Sequence, residues 1–309
     1  MSNQTTDTVL MVRPARFGFN EETSANNAFQ TNDRSRSQSE IEQAAQAEFD
    51  GFAERLRASG VHVIVAQDSP EPAKPDAVFP NNWVSFHPDG HIITYPMFSP
   101  LRRLERREEV IDQVLANGFR ADRRSHLEVS EADNRFLEGT GSMILDHDHR
   151  LVYACLSQRT DAALLDGYGQ LIGYEPVPFH STDAQGKDVY HTNVMMALGA
   201  SFAVICLDSV KDATERAMLE AKLSATGKAI IAISLDQMNS FAGNMLQVKN
   251  AEGKTFLVMS EQAFKSLTPA QVAAIEAHTN ILHAPLYTVE QYGGGSARCM
   301  LAEVFLPKA

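Results

Sequence analysis

The sequence predicts an α/β chain in which one unit, a hairpin followed by a helix and a further strand, repeats like the blades of a propeller. Three observations carry this. Short apolar runs come in pairs around polar turns, as Trp83–Phe86 and Ile92–Tyr95 do around Pro88-Asp89-Gly90. Each pair is followed by a helically periodic stretch and one more apolar run, and this order returns roughly every 50 to 60 residues, the mark of a repeat architecture. Polar residues with chemical capability also recur at one place in every unit, just before or at the start of the hairpin's first strand.

The units run over 9–76, 77–136, 137–189, 190–238 and 239–290, with 291–309 closing the series, within a single domain spanning 1–309. The first opens with a strand over Val9–Pro14 that enters a polar loop through Asn20 and Asn27; the segment Phe17–Gln38 has the length of a lid. From Ser39 to Ala58 the residues Ile41, Ala44, Ala45, Phe49, Phe52 and Leu56 share one helical face, Gly60 ends the helix, and Val61–Val65 is a strand. In the second unit the Trp83 hairpin leads to a helix over Leu101–Ala116. Its stretch Arg102 to Glu109 mixes both charges and reads as a solvated face laced by i,i+4 pairs. The third unit pairs Gly141–Leu145 with Leu151–Cys155 before a helix over Asp161–Ile172 and a strand over Glu175–Phe179. The fourth pairs Val194–Leu198 with Phe202–Cys206, then a helix over Asp212–Ala225 and a strand over Ala229–Ile233. The fifth pairs Asn244–Val248 with Thr255–Met259, then a helix over Pro269–Thr279 and a strand over Ile281–His283. Cys299 begins the buried strand that closes the series and ends at Pro307.

Composition limits the function. A chain of 309 residues, 44% hydrophobic and 21% charged, buries a large core. A net charge of −12 and a pI near 5.3 leave no basic face for nucleic acid. The first residues have no signal-peptide pattern, and no apolar run approaches the roughly 18 residues of a membrane span, so no membrane partner is expected. Cys155, Cys206 and Cys299, an odd count without C-x-x-C spacing, fit a reducing cytoplasm, with no disulfide framework, metal or other cofactor. Asp146-His147-Asp148-His149 is a tight hairpin turn with no distant metal-binding partner. A homodimer is compatible with the sequence, which leaves the oligomeric state open.

If the units surround an axis, their equivalent positions converge. Those positions hold Asn81-Asn82, Glu138, His191 with Asn193, Asn239 with Asn244, and Cys299. Gly293-Gly294-Gly295 frees the backbone just before Cys299. A cysteine thiolate attacks planar carbon, a histidine shuttles protons near neutral pH, and a glutamate holds charge. Singly, each residue has a bland reading: a small buried thiol, a strand-end imidazole, a turn carboxylate. Together and in order they point to catalysis. A phosphate cradle at the glycine run fails because a strand, not a helix N-terminus, follows it. A cysteine protease fails on chain order, and a binding platform has no need of a nucleophile with a base.

Phe79-Pro80-Asn81-Asn82-Trp83, Leu137-Glu138-Gly139-Thr140-Gly141-Ser142, Tyr190-His191-Thr192-Asn193-Val194 and Gly294-Gly295-Ser296-Ala297-Arg298-Cys299 resemble, in order and spacing, the pentein superfamily of guanidino-modifying enzymes. It includes arginine deiminases, dimethylarginine dimethylaminohydrolases, succinylarginine dihydrolase and amidinotransferases. Within it the chain looks most like the bacterial citrulline-utilization hydrolases, over Met11 to Phe305. The resemblance implies a five-bladed α/β propeller and a covalent intermediate on Cys299. It implies that His191 protonates the departing amine and later activates water, and that Glu138 bonds the imidazole or the substrate nitrogens.

The departures from the family pattern bear on substrate. Where arginine-processing members use carboxylates to grip the guanidinium, this chain has Asn81-Asn82 and Asn193. A buried carboxylate without a cation is costly, whereas an amide offers donor and acceptor to a neutral ureido group. The expected reaction is therefore citrulline to ornithine, carbon dioxide and ammonia. Arginine-type deimination, hydrolysis of dimethylarginine or succinylarginine, and amidino transfer remain alternatives. Asn→Asp changes at Asn82 and Asn193 are expected to move preference toward arginine. Asn244 is a further substrate-binding candidate, and Arg16, ahead of Arg13, Arg102 and Arg159, is the candidate for the substrate carboxylate. Cys155 and Cys206 are expected to be buried and inert.

Overall fold

The computed structural model describes every residue except Met1, Ala25 and Ala28. Among the described residues the strands form five separate three-stranded sheets. Each has an antiparallel pair and a third strand parallel to its middle one. Antiparallel strands need only a tight turn between them, whereas a parallel neighbour needs a long crossover, and the helices supply it. Four sheets are continuous in sequence: Val84–Phe86, His91–Thr94 and Arg123–His126; Ile144–Asp146, Leu151–Cys155 and Glu175–Phe179; Met196–Leu198, Phe202–Ile205 and Ala229–Ala232; Leu246–Lys249, Thr255–Ser260 and Asn280–Ala284. The remaining sheet joins Thr8–Arg13 and His62–Gln67 with Ala302–Glu303 from the far end of the chain, Leu10 standing opposite both Ala302 and Ile64.

The crossover helices follow their sequence signals. Ser37 and Glu40 make a capping box at the start of Gln38–Ala58, whose buried Ile41, Ala45, Phe49, Phe52 and Leu56 form the predicted face. Gly60, at φ +85°, turns the chain into the next strand. Ala162–Ile172 and Ala213–Ala225 are capped by Asp161 and Asp212. Middle strands such as Leu151–Cys155 are buried along their whole length, between helix and neighbouring sheets.

Three expectations change. The helix over Leu101–Ala116 is two, Pro100–Arg103 and Glu108–Ala116. Between them the chain turns Arg102 and Glu105 inward as a buried ion pair, 3% and 1% exposed at the side chain, so this is not the solvated face their spacing suggests. Arg123–His126 is an edge strand without apolar alternation, paired in parallel to His91–Thr94, with His91 Nε2 also 2.8 Å from the Ser125 hydroxyl. Cys299 lies in a 3₁₀ turn, Ala297–Met300, and the strand beyond it is only Ala302–Glu303.

That turn belongs to a series. Pro80–Asn82, Gly139–Ser142 and Thr192–Met195 each make one tight turn immediately before a first strand, and Phe241 to Asn244 makes its counterpart through Asn244 N–H to the Phe241 carbonyl at 2.9 Å. The turns at Pro80–Asn82, Gly139–Ser142 and Thr192–Met195 touch in succession, and Pro80–Asn82 also touches Ala297–Met300.

The polar hairpin turn is structural. Asp146 accepts from His149 and faces Lys228, 3.4 Å away, with both side chains fully buried, while Lys228 also donates to the Ala200 carbonyl at 2.9 Å. Among the described residues no group of three or more His, Cys, Asp or Glu is placed to hold a metal ion. Breaking this pair strands a buried charge, so Lys228→Met should cost about 3–5 kcal/mol in a urea titration. Adding Asp146→Asn should recover most of the loss. A single-variant cost below about 1 kcal/mol would place the pair with ordinary surface bridges.

Candidate active site

Two glycines let the turns meet. Gly139 sits at φ +49°, and a Cβ there would lie 2.3 Å from the Asn81 carbonyl oxygen. A Cβ on Gly141 would lie 2.4 Å from Asn82 Nδ2 and 2.7 Å from His191 Nδ1. Leu137-Glu138-Gly139-Thr140-Gly141-Ser142 therefore keeps open the space shared by the asparagine and histidine turns. Ser142 holds it in place, accepting from the Glu138 backbone N–H at 2.9 Å and donating to the Arg159 carbonyl at 2.8 Å.

Glu138 and His191 occupy the residue before their respective turns. His191 Nε2 lies 2.7 Å from Glu138 Oε2, Phe98 N–H donates to Oε1 at 2.8 Å, and Arg159 Nη1 reaches Oε2 at 3.5 Å. Burial pushes the Glu138 carboxyl up, but Arg159, the His191 hydrogen bond and Arg102 outweigh it and hold the group at about 2. Burial lowers His191 to about 4 against the pull of Glu138. The carboxylate accepts only, so the neutral ring carries its proton on Nε2 and presents a lone pair at Nδ1 toward Gly141 and Asn82. Tyr190 packs on the His191 ring at 4.7 Å, lies under the Arg159 guanidinium at 4.8 Å, and donates to the Gly294 carbonyl at 2.7 Å.

The sulfur of Cys299 receives two side-chain amides, Asn193 Nδ2 at 3.3 Å and Asn244 Nδ2 at 3.2 Å. Asn244 is itself clamped, donating to the Asn193 carbonyl at 2.9 Å and accepting from the Arg298 N–H at 3.0 Å. Two N–H donors on one sulfur stabilise negative charge that develops there. Arg298 turns away to Glu303 at 2.7 Å. Cys155 and Cys206 are buried in other contacts, and burial pushes the Cys155 thiol up to about 12.

Asn82 is held by Arg102 Nη1, which donates to its Oδ1 at 2.8 Å, and its Nδ2 donates to Asn81 Oδ1 at 3.1 Å. Arg102 also makes a two-bond fork with Glu105, both bonds 2.9 Å, and stands 3.7 Å from Asp76. The sequence signal for this cluster was present in the Arg102/Glu105 spacing, but nothing in it announced burial. Arg16 lies apart: its guanidinium is about half exposed and faces Glu42 and Glu71 at 3.7 and 3.9 Å. Arg13 pairs with Asp50 at the surface, so of the four candidate arginines Arg102 and Arg159 are the buried ones.

The segment after the first strand crosses this assembly. Asn20 bonds Asp76 at 2.7 Å, the Thr23 carbonyl and Asn26 side chain accept from Arg159, and Gln30 bonds the Tyr292 carbonyl at 2.8 Å. Phe29 packs on Tyr190 and Phe241. Beneath it Glu138, His191, Asn82 and Cys299 are at most 3% exposed. Asn239, grouped with Asn244 by the repeat, instead lines an outer recess with Phe241 and Glu290.

The family model described as N,N dimethylarginine dimethylhydrolase, eukaryotic, matches residues 13–306. No curated protein matches. Among solved structures, a variant of the N-terminal domain of ArgZ covalently bound to a reaction intermediate matches at 18% identity and TM-score 0.74, covering 97% of this chain and 99% of that one. ArgZ is an arginine dihydrolase from the ornithine–ammonia cycle in cyanobacteria. Unliganded AgrE matches at 18% identity and TM-score 0.72, covering 98% of this chain and 40% of its own, so the chain spans about two fifths of that longer protein. A dimethylarginine dimethylaminohydrolase adduct with S-methyl-L-thiocitrulline matches at 13% identity and TM-score 0.64, covering 96% and 98%. These matches point to dimethylarginine and arginine hydrolases rather than to the citrulline-utilization hydrolases that the sequence motifs suggested.

The buried pair sets an acid limit. Below its ordinary 6.5 the unfolded His191 takes a proton, while the folded ring stays neutral to about 4; below 4.5 the unfolded Glu138 is protonated, while the folded one stays ionised to about 2. In both windows the unfolded chain binds more protons, so stability is greatest above pH 6.5 and falls as pH falls. Urea midpoints should decline from pH 7 to pH 4, and His191→Gln should flatten that decline. Equal slopes in the two proteins would show that His191 does not carry it.

Proposed function

The chain belongs to the N,N-dimethylarginine dimethylhydrolase family, hydrolases of guanidino carbon–nitrogen bonds, and we propose that it acts through Cys299 on the ureido or guanidino carbon of an arginine-related amino acid. The five sheets are then the blades of a propeller, a reading supported by the pairing of Ala302–Glu303 with Val9–Leu10. One observation carries the chemistry: two amides donate to Cys299 Sγ, while the buried His191–Glu138 pair offers a proton acceptor with a fixed tautomer.

The reaction runs in two displacements. The thiol proton passes to His191 and the sulfur adds to the substrate carbon. Collapse breaks one carbon–nitrogen bond, and the departing amine takes the proton from His191. His191 then deprotonates water, whose oxygen bonds the carbon as the carbon–sulfur bond breaks and the thiolate returns. Glu138 stabilises the imidazolium formed in each half.

Citrulline is the substrate this site supports best. The buried atoms left unpaired around it include a donor, Asn81 Nδ2, and an acceptor, Asn193 Oδ1. A ureido group has a carbonyl to accept and N–H groups to donate, so it completes both. Loss of ammonia leaves an S-carbamoyl adduct, and its hydrolysis releases a carbamate that separates into ornithine and carbon dioxide. Arginine is the second reading, favoured by the unpaired buried Asp76 Oδ1. The amino-acid carboxylate falls to Arg159, buried between Glu138 and the covering segment, in place of Arg16.

Ammonia release with product identification by mass, from citrulline, arginine, N-succinylarginine and methylarginines, tests this. Ornithine from citrulline, abolished by Cys299→Ala and lowered about 10²–10⁴-fold by His191→Gln, is the expected outcome. Activity confined to arginine or its derivatives would keep the nucleophile and overturn the substrate. Inactivity on the whole panel, with acceptor amines included, would favour a binding protein.

A further inference from the structure

The geometry points to Arg102 as the positioning residue that sets substrate charge, by occupying the acceptor of Asn82 and leaving only its N–H₂ for the ligand. This deepens the ureido reading above and rests on it. An amide can turn either its oxygen or its nitrogen toward a ligand. Here Asn82 Oδ1 accepts from Arg102 Nη1 at 2.8 Å, so the nitrogen takes the opposite direction, toward Asn81 Oδ1, Gly141 and the neighbourhood of His191 Nδ1. Arg102 cannot swing away: Glu105 holds it through two bonds of 2.9 Å, the Phe79 carbonyl accepts from Nη2 at 3.4 Å, and the residue is 3% exposed.

The consequence concerns charge. A guanidinium has five donors and no acceptor, so a donor-presenting Asn82 cannot bond it, whereas a ureido oxygen accepts from that N–H₂. The protein's own guanidinium stands where a carboxylate at this position would seek its counter-ion. A carboxylate introduced by Asn82→Asp alone would pair with Arg102 in a charge-assisted bond and be spent there. The sequence-based expectation joins Asn82→Asp with Asn193→Asp; on the present reading Asn82→Asp recruits arginine only when Arg102 goes as well. Asn193→Asp fails differently, because it sets a carboxylate against the Cys299 sulfur.

The test measures binding of citrulline and of arginine by calorimetry in a Cys299→Ser background, where chemistry is stopped. Glu105→Gln accompanies Arg102→Met, so that the carboxylate forked by the guanidinium is not left alone, Asp76 keeping its Asn20 donor, and circular dichroism with thermal melts checks folding. The affinity ratio of the two ligands should stay within about threefold of the parent in Asn82→Asp. It should move at least tenfold toward arginine when Arg102→Met/Glu105→Gln is added. Arg102→Lys, with the wild-type Asn82, keeps a donor and should hold the citrulline preference. A tenfold shift from Asn82→Asp alone, no shift in the combined variant, or failure of the parent to bind either ligand overturns the proposal; if the combined variant does not fold, Asn82→Asp and Arg102→Lys decide it. Absence of turnover by the intact enzyme with the binding pattern preserved would instead overturn the assigned reaction and leave the role of Arg102 standing.

Discussion

A fully buried carboxylate is tolerated only where its lone pairs are matched, and much of this molecule is arranged to match those of Glu138. Its partners come from three separate connections: Phe98 after the second sheet's hairpin, Arg159 after the third's, and His191 at the entry to the fourth. None is near Glu138 in sequence. The tight turns before each first strand bring them within reach, and Gly139 and Gly141 remove the side chains that would hold those turns apart. The same matching fixes the tautomer of His191, so the structural requirement and the chemical one are met by one set of bonds.

The covering segment takes part in that balance. Arg159 divides its donors between Glu138 below and Thr23 and Asn26 above, and Asn20 caps Asp76. Opening the segment would therefore release the hydrogen-bond partners of a buried cation and a buried anion together. With it closed, Cys299 is 3% exposed, and the exclusion of bulk water strengthens each charge interaction inside. Tyr190 links the two halves, since its hydroxyl bonds Gly294 on the way to Cys299 while its ring lies between His191 and Arg159.

The asparagines divide the remaining work. Asn193 and Asn244 serve the sulfur, and Asn82 is turned by Arg102. Substituting acids for these amides would not simply add charge to a pocket, because each amide is already committed to a neighbour whose own charge decides what an acid would do there.

The sequence by itself determined the repeat, the helical faces and hairpins, and the placement of Asn82, Glu138, His191, Asn244 and Cys299 at equivalent points of successive units. Those features rest on local signals: apolar periodicity, capping residues and glycine turns act over a few residues and are written in order along the chain. Only the tertiary structure decided that Arg102 and Glu105 are buried, that Arg123–His126 pairs as a strand, that Cys299 lies in a 3₁₀ turn, and that Arg16 faces the surface while Arg159 meets Glu138. A charged residue carries no local mark of burial. Whether its charge faces water or a partner depends on groups brought close from distant connections, and the edge strand, lacking apolar alternation, likewise takes its pairing from the strand that lies beside it.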